Sequence, residues 1–253
     1  MNSMRGAFLK KKSTKRPARD VFANKSAIVL EWLLLRGISR PSFALREVAG
    51  ENPVSLGLVH GVFEQLIDEG YLSVAGIRTA KTYAVKDPQR LLEAWRTHYN
   101  IVEKCRMWTY KSGLSGRDAV LSKLAHSKYW HNGALALHTA AAGLGFKHSN
   151  LESTELFLLD PSHRPTFEDL LRLEPQDRGY DVLLIQPYYK ALLSNSYGSE
   201  NQGARLLHPK VGGSLYCSSP LLTYLDLYRY PIRGEEQAEA IAERDPDIKR
   251  ILK

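Results

Sequence analysis

The chain has 253 residues, 43% of them hydrophobic, 25% charged and 9% aromatic. That balance excludes a collagen, a coiled-coil rod, a wholly disordered protein and a disulfide-stapled miniprotein. The net charge is +8, yet residues 1–20 hold seven cations (Arg5, Lys10, Lys11, Lys12, Lys15, Arg16 and Arg19) against one acid, Asp20, so the rest of the chain is nearly neutral.

Residues 1–23 read as a basic tail with few apolar groups to bury, expected to be disordered alone. Lys and Arg on such an arm suit a polyanion, because they displace counterions from a phosphate backbone; a solubilising tail is the other reading. No apolar run follows Arg5 and the three lysines, so no secretory signal is expected. The longest apolar stretches, 27–30 with 32–35 and 182–185, fall far short of the roughly 20 residues of a membrane span. Two distant cysteines, Cys105 and Cys217, fit a reducing compartment. A cytoplasmic protein is expected.

After the tail, Ile28, Val29, Trp32, Leu33 and Leu35 repeat at helical period and predict a helix over 25–36, ended by Gly37. Ser42 reads as the N-cap of a short helix over 43–49. A third helix starts near Asn52-Pro53, with Ser55 as the rival cap. It carries the stripe Leu58, Val59, Val62, Phe63, Leu66 and Ile67 and stops at Gly70. Residues 71–74 and 81–85 alternate as two strands around a turn at 76–80. Three helices and a hairpin in this order are the layout of a winged helix-turn-helix over 24–87. In that module the third helix enters the major groove and the hairpin touches backbone or minor groove.

The solvent face of the third helix reads Ser55, Gly57, His60, Gly61, Glu64, Gln65 and Asp68, with no Arg or Lys, so it is poorly equipped for the commonest contact to guanine. Residues 24–87 hold seven cations and seven acids. Even so, Glu64 and Asp68 lie towards the end that stays away from bases, the two glycines let backbone approach closely, and Arg78 and Lys81 put charge on the wing. The candidate DNA contacts are therefore the tail cations with Ser42, Ser55, Gly57, His60, Arg78 and Lys81. A winged helix used for protein contacts is the alternative.

Asp87-Pro88 opens a connector helix with Leu91, Leu92 and Trp95 inward, giving a connector over 88–103. Beyond it the chain alternates: strands at 105–110, 155–159, 181–186 and 214–217, and helices at 116–126, 131–143, 166–173, from Ser219-Pro220 onward and at 234–243. This predicts a mixed α/β domain over 104–253 and an α+β chain overall.

No chemistry emerges from the second half. His126, His131 and His138 are spaced by five and seven, not as a helical zinc pair. Gly143-Leu144-Gly145 and Gly212-Gly213 lack the rest of a phosphate loop, and no nucleophile elbow occurs. No metal, cofactor or enzymatic activity is expected.

The block Ser218-Ser219-Pro220-Leu221-Leu222-Thr223-Tyr224-Leu225-Asp226-Leu227-Tyr228-Arg229, followed by Arg233-Gly234-Glu235-Glu236-Gln237-Ala238-Glu239, resembles the C-terminal signature of AbiEi-type antitoxins of type IV toxin–antitoxin systems. Earlier blocks agree in order: the winged helix, the connector with Asp87-Pro88, Leu92, Trp95 and Tyr99, the small residues after Tyr129, and the strand at 181–187. The resemblance spans residues 24–245. It implies a DNA-binding, autoregulating transcription factor that counteracts a nucleotidyltransferase-type toxin, with a nucleotidyltransferase-like but inactive C-terminal domain. Gly133-Ala134 stands where a transferase motif begins with Gly-Ser, and no Asp-x-Asp pair follows; paired carboxylates are what a two-metal transferase needs. His60-Gly61 departs from the basic recognition helix expected of a regulator. An active nucleotidyltransferase is the remaining alternative.

Overall fold

The computed structural model describes residues 20–198, 205–208 and 212–253. The tail cations Arg5, Lys10, Lys11, Lys12, Lys15, Arg16 and Arg19 lie outside them. The chain is a mixed α+β structure.

Its first part runs α1 (Ser26–Leu35), α2 (Leu45–Glu51), α3 (Leu56–Asp68), β1 (Leu72–Ala75) and β2 (Thr82–Val85). The two strands pair antiparallel, with Leu72 opposite Val85 and Val74 opposite Tyr83. Gly70, at φ +81°, turns the chain from α3 into β1, a conformation glycine adopts without strain. Residue 43 does not start a helix as expected. Phe43 is extended and bridges Tyr83, each N–H donating to the other's carbonyl at 2.9 Å. Its ring lies edge-on between Trp32 and Phe63, at centroid distances of 5.1 and 5.9 Å. Burying that ring outweighs the local helix signal, so α2 starts two residues later. The capping position is Ala44, whose N–H donates to the Glu47 carboxylate at 3.0 Å, and Ser42 is exposed and does not cap. Between the two expected caps of α3, Ser55 is the one used: its Oγ accepts from Leu58 N at 3.2 Å.

Helix α1 is buried along its whole length from Ser26 to Leu34. One flank packs on α3; the other is covered by the C-terminal half of the chain.

That half begins with α4 (Pro88–His98), opened by Asp87, whose carboxylate accepts from Arg90 N at 3.0 Å. There follow α5 (Ile101–Lys104), β3 (Arg106–Ser112), α6 (Gly116–Ala125), β4 (Gly133–Leu135), α7 (Leu137–Gly143), β5 (Thr154–Leu158), α8 (Arg164–Leu170), β6 (Leu173–Pro175), β7 (Val182–Gln186), α9 (Lys190–Gly198), β8 (Arg205–His208), β9 (Gly213–Cys217), α10 (Pro220–Tyr228), α11 (Gly234–Arg244) and α12 (Pro246–Ile251). The strands form one mixed sheet in the order β6-β3-β7-β5-β4-β9-β8, with β5 parallel to β7 and β4 parallel to β9. The apolar run of β7 serves both faces. Val182 and Leu184 join a core with α6 and α8, while Leu183 and Ile185 join the larger core that also contains α1, α3, α4 and α10–α12. Two-sided burial is why this strand reads as continuous and not alternating.

The expected helix over 131–143 is instead a strand, β4, followed by α7. β4 pairs on both sides, with β5 and β9, and Gly133 sits so close to the Phe167 ring that a Cβ would lie 3.0 Å from it. Non-local pairing overrides the helical preference of its alanine and leucine. Likewise α8 stops at Leu170, Arg172 takes φ +52°, and residues 173–175 pair with β3.

Inside the larger core, Tyr99 donates to Asp226 Oδ1 at 2.6 Å across 127 positions of sequence. Asp226 is fully buried, and its Oδ2 has no hydrogen-bond partner among the described residues. Burial pushes this carboxyl up to about 8, against the downward pull of the Tyr99 hydrogen bond. The folded chain therefore keeps a proton that the unfolded chain loses near the ordinary carboxylate value of about 3.9. This group makes stability fall as pH rises from there through about 8. Asp226→Asn keeps an acceptor for Tyr99 and removes the titration, so urea unfolding across about pH 4 to 9 should show a flatter dependence than the parent chain. Parallel curves would assign the pH dependence elsewhere.

Candidate functional site

The first turns of α2 and α3 and the hairpin turn between β1 and β2 enclose an open cleft of about 320 Å³. Arg46 comes from α2, Leu56 and His60 from α3, and Arg78, Lys81 and Tyr83 from the hairpin. The hairpin tip holds its shape because Gly76 has φ +80° and a Cβ there would collide with the Ala80 carbonyl. Only glycine fits. Arg78 follows in a left-handed conformation, φ +52°, at the start of a 3-10 turn.

Arg46, Arg78 and Lys81 are exposed, and none forms an ion pair among the described residues. Of the seven acids that balance the charge of residues 24–87, five are engaged elsewhere. Glu47 and Glu51, one turn apart on α2, are held by Arg40 at 3.0 and 2.9 Å, and Glu51 also accepts from Arg36 at 3.1 Å and Trp32 Nε1 at 2.7 Å. Partial burial pushes the Glu51 carboxyl up, but the hydrogen bonds from Trp32, Arg40 and Arg36 outweigh it and hold the group below its usual value. Glu69 pairs with Gln65, Asp87 caps α4, and Glu31 is buried near Ser219. Near the cleft itself stands Glu64, 3.3 Å from His60 Nδ1. A neutral module thus presents a locally cationic cleft.

Of the residues singled out by sequence, His60, Arg78 and Lys81 converge on this cleft. Gly57 lies beside them on the first turn of α3, with nothing within 4 Å of where a Cβ would be. Ser55 caps α3 on another flank, and Ser42 is exposed outside the cleft. Sequence reasoning counted Arg46 without singling it out, because its place depends on α2 meeting the hairpin. Leu56, 45% exposed at the cleft rim, was also missed.

Among the described residues, the C-terminal half offers no comparable cluster. Asp160 follows the end of β5 and Asp181 precedes the start of β7. Since those strands are parallel neighbours, the two carboxylates stand at opposite ends of the strands. Among the described residues no group of three or more His, Cys, Asp or Glu is placed to hold a metal ion. His126 Nδ1 lies 2.9 Å from the Ser122 carbonyl, His138 sits between the Ile232 carbonyl and Ser149 Oγ, and His131 packs on Trp130. Both thiols are buried, and burial pushes Cys105 up to about 12 and raises Cys217 as well, the reverse of an activated nucleophile.

Much of the conspicuous block over 218–239 makes internal contacts. Ser219 caps α10, accepting from Leu222 N at 3.3 Å. Tyr224 accepts from Arg96 at 2.8 Å, and that guanidinium lies over the Tyr228 ring at 4.2 Å. Gln237 bonds the backbone of Phe146 and His148, and Gly234 is required because a Cβ would strike the Leu227 carbonyl. No family model, curated protein or solved structure matches the chain.

Because open space surrounds Gly57, its replacement by Ala meets no clash and recovers helix propensity. Urea unfolding of Gly57→Ala should show a gain of up to about 1 kcal/mol; a loss would mean the glycine serves the fold.

Proposed function

We propose that the chain is a duplex-DNA-binding regulator whose three N-terminal helices and hairpin act as a winged helix. The observation that carries this reading is the cleft at the start of α3, where Arg46, Arg78 and Lys81, without ion pairs among the described residues, stand beside His60. In such a module the first turn of the third helix meets base edges while the wing meets the backbone. Here the wing cations and Arg46 would hold phosphates, and the open backbone at Gly57 would let α3 lie close in the groove. Ser55 and His60 are the polar side chains available to bases. With no Arg or Lys on the outer face of α3, selectivity rests more on fit and DNA shape than on paired contacts to guanine.

The resemblance of residues 218–239 to AbiEi-type antitoxins supports placing this regulator in a toxin–antitoxin operon, repressing it and counteracting a nucleotidyltransferase-type toxin. In that reading the mixed sheet is the nucleotidyltransferase-like domain. The separation of Asp160 from Asp181 supports a binding role for it over a transferring one.

Titration of labelled duplexes of different sequence, at several salt concentrations, tests the proposal. Arg46→Ala, Arg78→Ala and Lys81→Ala should each weaken all sequences alike and lower the salt slope by about 0.9 for every phosphate left unneutralised. His60→Ala should instead change the preference among duplexes, within about 1–3 kcal/mol at one position. Unchanged DNA binding in all four, with loss of a protein complex, would favour the protein-interaction reading, to which exposed Leu56 and Ile77 would then belong.

A further inference from the structure

We propose that Ile77 is an apolar wedge that enters the minor groove next to the segment read by α3 and kinks the duplex there. The inference rests on the DNA-binding reading above and concerns how the shape of the duplex is read. Ile77 stands at the hairpin tip with 77% of its surface exposed, more than any other large hydrophobic residue among the described residues. An isoleucine so placed adds little to the core, because its stabilising effect comes from area removed from water. The tip holds it in a fixed direction. Gly76 at φ +80° precedes it, Arg78 at φ +52° follows it, and the Ala80 N–H donates to the Ile77 carbonyl at 3.1 Å to close the turn. The two strands stay paired up to Ala75 and Thr82, so the side chain projects from a closed hairpin.

Charge around the tip indicates what it meets. Residues 71–86 hold Arg78, Lys81 and Lys86 and no acid, which suits a polyanion better than an apolar protein surface. Position indicates which groove. Ile77 is extended, at φ −129° and ψ 149°, and in extended backbone successive side chains point to opposite sides. The cleft accordingly takes Arg78 from the tip and not Ile77. With α3 in the major groove, the phosphates bordering that groove lie in the cleft, against Arg46, Arg78 and Lys81. Across that same row of phosphates is the minor groove, and Ile77 is the side chain turned towards it. Apolar side chains that enter the minor groove push between base steps and bend the duplex by about 20–90° toward the major groove. Here such a bend closes the duplex around α3. Pyrimidine–purine steps such as TA give way most easily, so the wedge selects the position of such a step without touching a base edge. That selectivity is what the outer face of α3, with no Arg or Lys, lacks.

The test uses the full chain and duplexes carrying a donor dye at one end and an acceptor dye at the other. A single TA step is moved through an otherwise constant G·C-rich sequence from one duplex to the next. Binding of the parent chain should bring the two ends closer, by a bend of at least about 20°, and most strongly for one position of the step. Ile77→Ala should abolish the bend and the positional preference while leaving the salt slope unchanged, because no phosphate contact is lost. Ile77→Leu, still apolar and bulky, should keep both. The residue is too exposed for either change to unfold the chain. A parent complex that leaves the duplex straight, or an Ile77→Ala complex bent as strongly with the same preference, would overturn the wedge while leaving DNA binding intact. Unchanged bending together with loss of a protein complex would overturn it too, and would assign the tip to a protein partner. No binding of any duplex by the parent chain would remove the DNA-binding reading, and the inference with it.

Discussion

Helix α1 has no solvent-facing side between Ser26 and Leu34, and the rest of the molecule is organised around covering it. An isolated three-helix unit would leave one stripe of α1 to water. Here α9 and α12 lie against that stripe, Arg250 donates to the Leu35 carbonyl at 2.8 Å, and Ser219 donates to the buried Glu31. Burial of apolar surface contributes about 25 cal/mol per Å², so a helix covered on every side is a stronger tie than any surface ion pair in the structure. One face of the seven-stranded sheet and the helices that frame the cleft consequently share one continuous core, and displacing the C-terminal helices would disturb the seat of α3.

A second tie runs through the aromatic group at the centre. Trp95 donates to the Tyr189 hydroxyl at 2.7 Å, Tyr189 donates to the Phe22 carbonyl, and Tyr99 donates to Asp226. These bonds join the segment preceding α1, the connector helix α4, the segment after β7 and α10. A buried hydrogen bond to a charged or polar partner is costly to break one-sidedly, so the set fixes where four distant pieces of chain sit. The stretch 218–239 supplies further fasteners of this kind through Ser218, Tyr224, Asp226 and Gln237.

What could be read from the residues alone was what is local. α3 was legible because Gly70 ends it and the stripe from Val59 to Leu66 keeps helical period, though its start was placed at Asn52-Pro53, three residues before the Ser55 cap it uses. α10 was legible for the same reason, with Ser219 and Pro220 at its start. β4 was not: Gly133, Ala134 and Leu135 have no alternation to show, and they are a strand only because β5 and β9 lie on either side. Phe43 was misread because its partner, Tyr83, lies far along the sequence, beyond α2, α3 and β1. Of the cleft, the hairpin cations and His60 were visible; Arg46 was not, since nothing in a linear charge count says that Glu47 and Glu51 are neutralised on a different face.

The dependence of α1 on the end of the chain also bears on its synthesis. Leu35 and the Arg250 that caps its carbonyl are 215 positions apart. At roughly 5–20 residues per second, the first helix waits on the order of ten to forty seconds on the ribosome before its last partners are made. Throughout that interval Ile28, Leu30, Trp32 and Leu34 belong to a segment that cannot complete its core, the kind of apolar stretch that holdases bind. Arrest of translation before α12 would therefore leave a sticky nascent chain in place of a functional fragment.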